Sequence, residues 1–121
     1  MACEVLIVDD SSFMRTMLSK IFKTIPEIQK IHEADNGPSA IEIYKKIKPN
    51  IVTMDIDMPK MDGITATKKI ISFDSKAKIV MVTSVEKTKT RSDAESAGAC
   101  GFIKKPFQVT EIKKIIGKIP K

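Results

Sequence analysis

The 121-residue chain has no tryptophan, one tyrosine, one histidine and only two cysteines. Cys3 and Cys100 lack C-x-x-C spacing, which argues against a thiolate metal site and predicts free thiols in a reducing compartment. Arginine is nearly absent: Arg15 and Arg91 are the whole complement, although the net charge is +6. Nucleic-acid surfaces gather arginine and aromatic side chains on one patch. Here lysines are scattered among acidic residues, so a solvated basic surface suited to an acidic protein partner is expected, not a nucleic-acid site. No apolar run approaches the ~18 residues needed to span a bilayer. The start, "MACEVLIVDD", has no basic segment and turns acidic after its apolar run, so no secretory leader is read and a cytoplasmic location is expected. Neither G-x-G-x-x-G nor G-x-x-x-x-G-K-[ST] is present, which argues against dinucleotide and P-loop chemistry.

What remains is an ordinary globular balance, 42% hydrophobic and 30% charged, at a length that suits one domain with a genuine core. Val5-Leu6-Ile7-Val8, Ile51-Val52-Thr53-Met54 and Ile79-Val80-Met81-Val82-Thr83 are continuous apolar, β-branched runs. Such runs suit strands buried on both faces. Ile28 to Glu33 and Gly101 to Lys104 are weaker strand candidates.

Helical patterns lie between the runs. Met14, Met17, Leu18, Ile21, Phe22 and Ile25 repeat at three and four, with Ser11 or Ser12 as cap and Pro26 as stop. Pro38 to Lys46, Gly63 to Phe73 and Glu86 to Ala97 read as further helices, and Gly98 ends the last of these. Ile112, Ile115, Ile116 and Ile119 mark a fifth. "NG" at 36 and 37 reads as a turn. The fourth helix is the least apolar, with Ala94 and Ala97 as its packing residues, and is expected to be the mobile one. Strand then helix, five times, predicts an α/β fold with a parallel sheet covered by helices.

The polar residues fall at the strand ends. Asp9 and Asp10 follow the first strand, Asp55 the third, Thr83 the fourth and Lys105 the fifth. Open α/β sheets bind ligands at that carboxyl edge. Three clustered carboxylates repel one another unless compensated, and a hard divalent cation such as Mg²⁺ compensates them. The same ion would offset the repulsion between an attacking carboxylate and a phosphoryl donor. Lys105 and Thr83 are suited to pair with phosphoryl oxygens. Aspartate is itself a competent phosphoryl-accepting nucleophile. His32 lies in the second strand region, far from this rim, and is read as structural. Met14, Met17 and the aromatics are read as core, with Phe13 partly exposed.

"VLIVDDSSFMR", "IVTMDIDMPKMDG", "MVTS" and "GACGFIKKPF" together resemble the receiver domain of two-component response regulators, in order and spacing over essentially the whole chain. The nearest likeness is to the stand-alone chemotaxis regulators. The resemblance implies a doubly wound, flavodoxin-like five-stranded parallel sheet in the order 2-1-3-4-5 flanked by five helices, an order that general fold rules already attach to this family. It implies one receiver domain over residues 1–121 and Asp55 as phosphoacceptor. Asp10, Asp55 and the backbone carbonyl of Asp57 would bind Mg²⁺, with Asp9 acting through water. Lys105 would be the "KPF" lysine, and Lys104 solvated. Thr83 would be the switch hydroxyl and Phe102 the switch aromatic.

It further implies a CheA-like histidine kinase as donor and a motility-switch or adaptor protein docking on the face of helix 4, strand 5 and helix 5. The domain would be monomeric and would catalyse only its own phosphorylation and dephosphorylation. Phe102 stands where tyrosine is common, Val85 where polar residues often occur, and Asp57 where the family tunes phosphoryl lifetime. One alternative is a single-domain phosphorelay intermediate. Another starts from "DID", which also suits a haloacid-dehalogenase-type phosphatase with Asp55 as nucleophile and Asp57 as general acid. Against it, Pro59 follows closely and the acidic pair precedes the motif. A third is a receiver fold that only binds partners, which the complete set of Asp9, Asp10, Asp55, Thr83 and Lys105 disfavours.

Overall fold

The computed structural model describes residues 3–84 and 88–119. Strands β1 (Cys3–Val8), β2 (Ile28–Ala34), β3 (Ile51–Met54), β4 (Ile79–Thr83) and β5 (Gly101–Lys104) alternate with helices α1 (Ser12–Phe22), α2 (Gly37–Ile47), α3 (Gly63–Phe73), α4 (Thr88–Ala97) and α5 (Val109–Lys118). The strands form one parallel sheet in the order β2-β1-β3-β4-β5. The α/β, doubly wound architecture expected from the sequence is therefore the one observed.

The continuous apolar runs are explained by burial on both faces. Side chains alternate across a strand, so each run supplies two half-cores. Leu6, Val8, Val52, Met54, Ile79 and Met81 pack with Ala40, Tyr44, Ala66, Ile70 and Ala94, from α2, α3 and α4. Val5, Ile7, Ile51, Val80, Val82 and Ile103 pack with Leu18, Ile21, Phe22, Ile112 and Ile116, from α1 and α5.

Local chemistry sets the helix ends. Ser11 caps α1 by accepting from the Met14 N–H at 3.2 Å. Asn36 caps α2 by accepting from Ser39 N–H at 2.8 Å, so "NG" is a helix start and not only a turn. Asp62 caps α3 through Thr65 N–H, also at 2.8 Å. The chain leaves α4 through Gly98 at φ +113°, a conformation that glycine adopts without a Cβ penalty.

Some expectations need correction. α1 stops at Phe22, before Pro26, although Ile25 beyond it is still buried. Met17 was expected in the core but is 40% exposed, because it sits beside Leu18 at the edge of the stripe that meets the sheet. Phe73, at the end of α3, is also exposed; its ring lies edge-on to Tyr44, with the Lys45 and Lys48 ammonium groups above it. Phe13 is more exposed than expected. The start of the fourth helix at Glu86, and the reading of Val85, lie outside the described residues. His32 pairs with Glu4 at 2.8 Å between β2 and β1, in keeping with a structural role. Among the described residues no helix is long and apolar enough to cross a membrane.

Candidate functional site

Three strands deliver their chemistry in the same way. Asp9, Asp55 and Lys105 each stand one residue beyond the end of β1, β3 and β5. The sheet pairing runs on to include them. Asp9 N–H donates to the Ala34 carbonyl at 3.1 Å, Asp55 N–H to that of Val8 at 3.0 Å, and Lys105 N–H to that of Thr83 at 2.7 Å. The backbone of these three residues is therefore as fixed as the sheet. Because β1 lies beside β3, the sheet order places Asp9 and Asp10 against Asp55.

Carboxylate oxygens of Asp9, Asp10 and Asp55 lie within 4.8 Å of one another. Asp9 and Asp55 are buried, whereas Asp10 is exposed and forms the open side. The Lys105 ammonium enters the cluster from β5. It donates to Asp9 Oδ2 at 2.8 Å and stands 3.7 Å from Asp55 Oδ2. Asp9 Oδ1 accepts from Ser11 N–H at 2.9 Å, so the residue that caps α1 also ties that helix to the cluster. The sequence suggested Lys105 as a partner for a phosphoryl group; in this structure its nearer anion is Asp9.

Asp55 is the chemically distinct member. Burial pushes its carboxyl from an ordinary 3.8 up to about 6. Lys105 opposes that shift, and the charges of Asp9 and Asp10 add to it. The Asp57 carboxylate is exposed. Lys104 is exposed, whereas the Lys105 side chain is only 15% exposed.

Gly63 fixes the rear of the site, and the sequence did not single it out for that. An ideal Cβ at Gly63 would stand 2.0 Å from the Asp55 carbonyl oxygen, so only glycine allows α3 to start there. Its N–H donates to the Ile56 carbonyl at 2.8 Å. Arg15 is the other omission; its Nη1 donates to the Asp9 carbonyl at 2.7 Å. Both residues close a motif quoted above, "VLIVDDSSFMR" and "IVTMDIDMPKMDG", but the contact each makes depends on a partner supplied by the fold.

Thr83 is fully buried at the end of β4. Phe102 on β5 pairs in register with Met81, packs against the α2–α4 half-core, and carries the Arg91 guanidinium 5.4 Å from its ring centroid. Thr83 and Phe102 thus sit on the strand pair next to the acidic cluster but outside it.

Residues 5–117 match the response regulator receiver domain model. The chain belongs to the response regulator receiver family. Chemotaxis protein CheY of Bacillus subtilis is 45% identical over 118 residues, 98% of each chain. That of Thermotoga maritima is 45% identical over 121 residues, the full length of both. Among solved structures, a chain of the CheX–CheY–BeF3–Mg²⁺ complex from Borrelia burgdorferi superposes with a TM-score of 0.91 at 36% identity, covering 98% of this chain and 90% of that one. This receiver is homologous to CheY chemotaxis regulators and is a phosphorylation-activated signalling switch. The receiver assignment agrees with the resemblance in the sequence motifs, and the observed strand order agrees with the order that resemblance implied.

Proposed function

We propose that Asp55 is the phosphoryl acceptor of this receiver. One observation carries the reading: a buried carboxylate, pushed up to about 6, stands within reach of two further carboxylates and 3.7 Å from a lysine ammonium. An Asp55 oxygen attacks phosphorus. The bond to the donor's histidine nitrogen, or to the carboxylate oxygen of an acyl phosphate, breaks, and its electron pair leaves with the donor. Lys105 then pairs with the new dianion.

The oxygen-only donor set, two acids buried and one open to solvent, fits a hard cation such as Mg²⁺. Asp10 and Asp55 with the backbone carbonyl of Asp57 would hold it, Asp9 acting through water. When bound, the ion supplies positive charge against the cluster and the incoming phosphoryl group. The exposed Asp57 carboxylate is then free to modulate phosphoryl lifetime.

The switch is a population shift. Thr83 moves toward the phosphoryl group, and Phe102 turns into the vacated space. That turn breaks the Arg91–Phe102 contact, which costs about 0.5–1 kcal/mol at an exposed site. The face of α4, β5 and α5 presents Lys89, Arg91, Lys113 and Lys114 to solvent. It would receive an acidic segment of a motility-switch or adaptor protein, and a CheA-like histidine kinase would be the donor. The chain acts as one cytoplasmic, monomeric receiver domain over residues 1–121. It catalyses only its own phosphorylation and dephosphorylation.

Incubation with Mg²⁺ and acetyl phosphate, followed by intact mass, tests the reading. One added phosphoryl group, lost in Asp55→Asn, is the expected result. Steady phosphate release from a generic phosphomonoester, abolished by Asp57→Asn, would instead establish a phosphatase. No labelling and no turnover would leave a partner-binding receiver.

A further inference from the structure

We propose that Arg15 is a positioning residue for the acidic cluster. Its guanidinium, aimed by Glu33, fixes the peptide that joins Asp9 to Asp10 and so directs the Asp10 carboxylate. This inference rests on the metal-binding reading above.

Arg15 lies early in α1 and reaches two strands at once. Its Nη1 donates to the Asp9 carbonyl at 2.7 Å, and its Nε donates to Glu33 Oε1 at 2.9 Å. Glu33 is held on β2, in register with Ile7 of β1. The Arg15 side chain is only 18% exposed, so the fork is sheltered although Glu33 is half open to water. Arg15 thereby ties α1, β2 and the end of β1 together at the residue before Asp10.

The carbonyl it holds belongs to the same planar unit as the Asp10 N–H. Asp9 does not need Arg15 to be placed, because Ser11 N–H and Lys105 already hold its two carboxylate oxygens. Asp10 differs: it is exposed on the open side of the cluster, and its aim depends on the backbone that carries it. Rotation of the Asp9–Asp10 peptide would swing Asp10 away from Asp55 and leave Asp9 in place. A planar fork can serve a carbonyl and a carboxylate on different strands together; a single ammonium on a flexible stem does so poorly. The selectivity for arginine over lysine therefore follows from shape, not charge. Partners that orient a metal ligand without touching the metal typically contribute 10–100-fold in metal affinity.

The test is a MgCl₂ titration of the full chain followed by ¹⁵N amide spectra, with urea unfolding alongside. The variants are Arg15→Ala, Arg15→Lys, Glu33→Gln and Asp10→Asn. Arg15→Ala and Arg15→Lys should each weaken Mg²⁺ binding about tenfold and shift the Asp10 amide before any metal is added. Glu33→Gln should show a smaller loss in the same direction. If Arg15→Ala fails to fold, Arg15→Lys and Glu33→Gln carry the test. Lower unfolding midpoints with Mg²⁺ affinity within about twofold of the parent would overturn the proposal and leave Arg15 as a structural residue. Variants of Arg15 that match the parent while Asp10→Asn loses Mg²⁺ binding would overturn the positioning role alone. A parent chain with no Mg²⁺-dependent shift would overturn both this role and the metal reading beneath it.

Discussion

Replacing Asp55 with asparagine should stabilise the metal-free protein, and only above mildly acidic pH. Burial holds the folded carboxyl near 6, against an ordinary 3.8. The folded state therefore binds this proton more tightly than the unfolded chain between about pH 4 and 6, so stability falls as pH rises through that window. Above it the full penalty is present. Two pKa units at ~1.4 kcal/mol each set an upper limit of about 3 kcal/mol. That limit already includes the attraction to Lys105, 3.7 Å away; asparagine keeps the volume and drops the charge, but the burial of its own polar amide offsets part of the gain. A net gain of about 2 kcal/mol is expected at pH 7.5, roughly 6–10 °C in Tm for a domain of this size.

The assay is urea or thermal unfolding of the parent and Asp55→Asn, without divalent cations, from pH 4 to 8. The gap between them should open from near zero at pH 4 and level off above pH 6. Mg²⁺ should then close much of it by stabilising the parent. A gap that is absent at pH 7.5, or equal at pH 4 and pH 7.5, would refute the claim that burial of this carboxyl is what makes it distinct.

Three further outcomes follow from the geometry. Gly63→Ala places a methyl group against the Asp55 carbonyl oxygen, so denaturation should show a loss of ~3 kcal/mol or more, with weaker Mg²⁺ binding in whatever folds. Lys105→Met leaves Asp9 buried without its 2.8 Å partner. Stability at pH 7.5 should fall by about 3 kcal/mol and recover in part with Mg²⁺, while acetyl phosphate labelling by intact mass slows at least ~10-fold. Thr83→Ala should still accept the phosphoryl group, yet amide shifts at Phe102 and Arg91 on phosphorylation should be lost, because the hydroxyl that carries the change is gone.

The parts of this site that lie on strand ends were legible in the sequence. The runs before Asp9 and Asp55 are too continuous for half-exposed strands, and the weaker strand before Lys105 follows from the strand–helix alternation, so the acids and lysine after them fall on one rim once the sheet is parallel. The pairing of Lys105 with Asp9 was not legible. The two residues stand 96 apart, and only the sheet order and the shared exit depth of β1 and β5 bring them together. Arg15 closes the motif "VLIVDDSSFMR", but its contacts were not legible there, because its two acceptors are a backbone carbonyl and a side chain on another strand. Gly63 looked like an ordinary helix start, and its missing Cβ matters only against the Asp55 carbonyl. Met17 and Phe73 failed for a different reason. Apolar spacing marks a stripe wider than the part of a helix that the sheet covers, so residues at its margin stay wet.

The identity of the acceptor is tested most directly by trapping it. After treatment with Mg²⁺ and acetyl phosphate, borohydride reduces an aspartyl phosphate to homoserine, and peptide mass spectrometry locates the converted residue. Conversion at residue 55 alone, with Asp9, Asp10 and Asp57 unchanged, is the predicted result. Conversion at any of those three in place of Asp55, or none in a protein that has taken up phosphate, would contradict it.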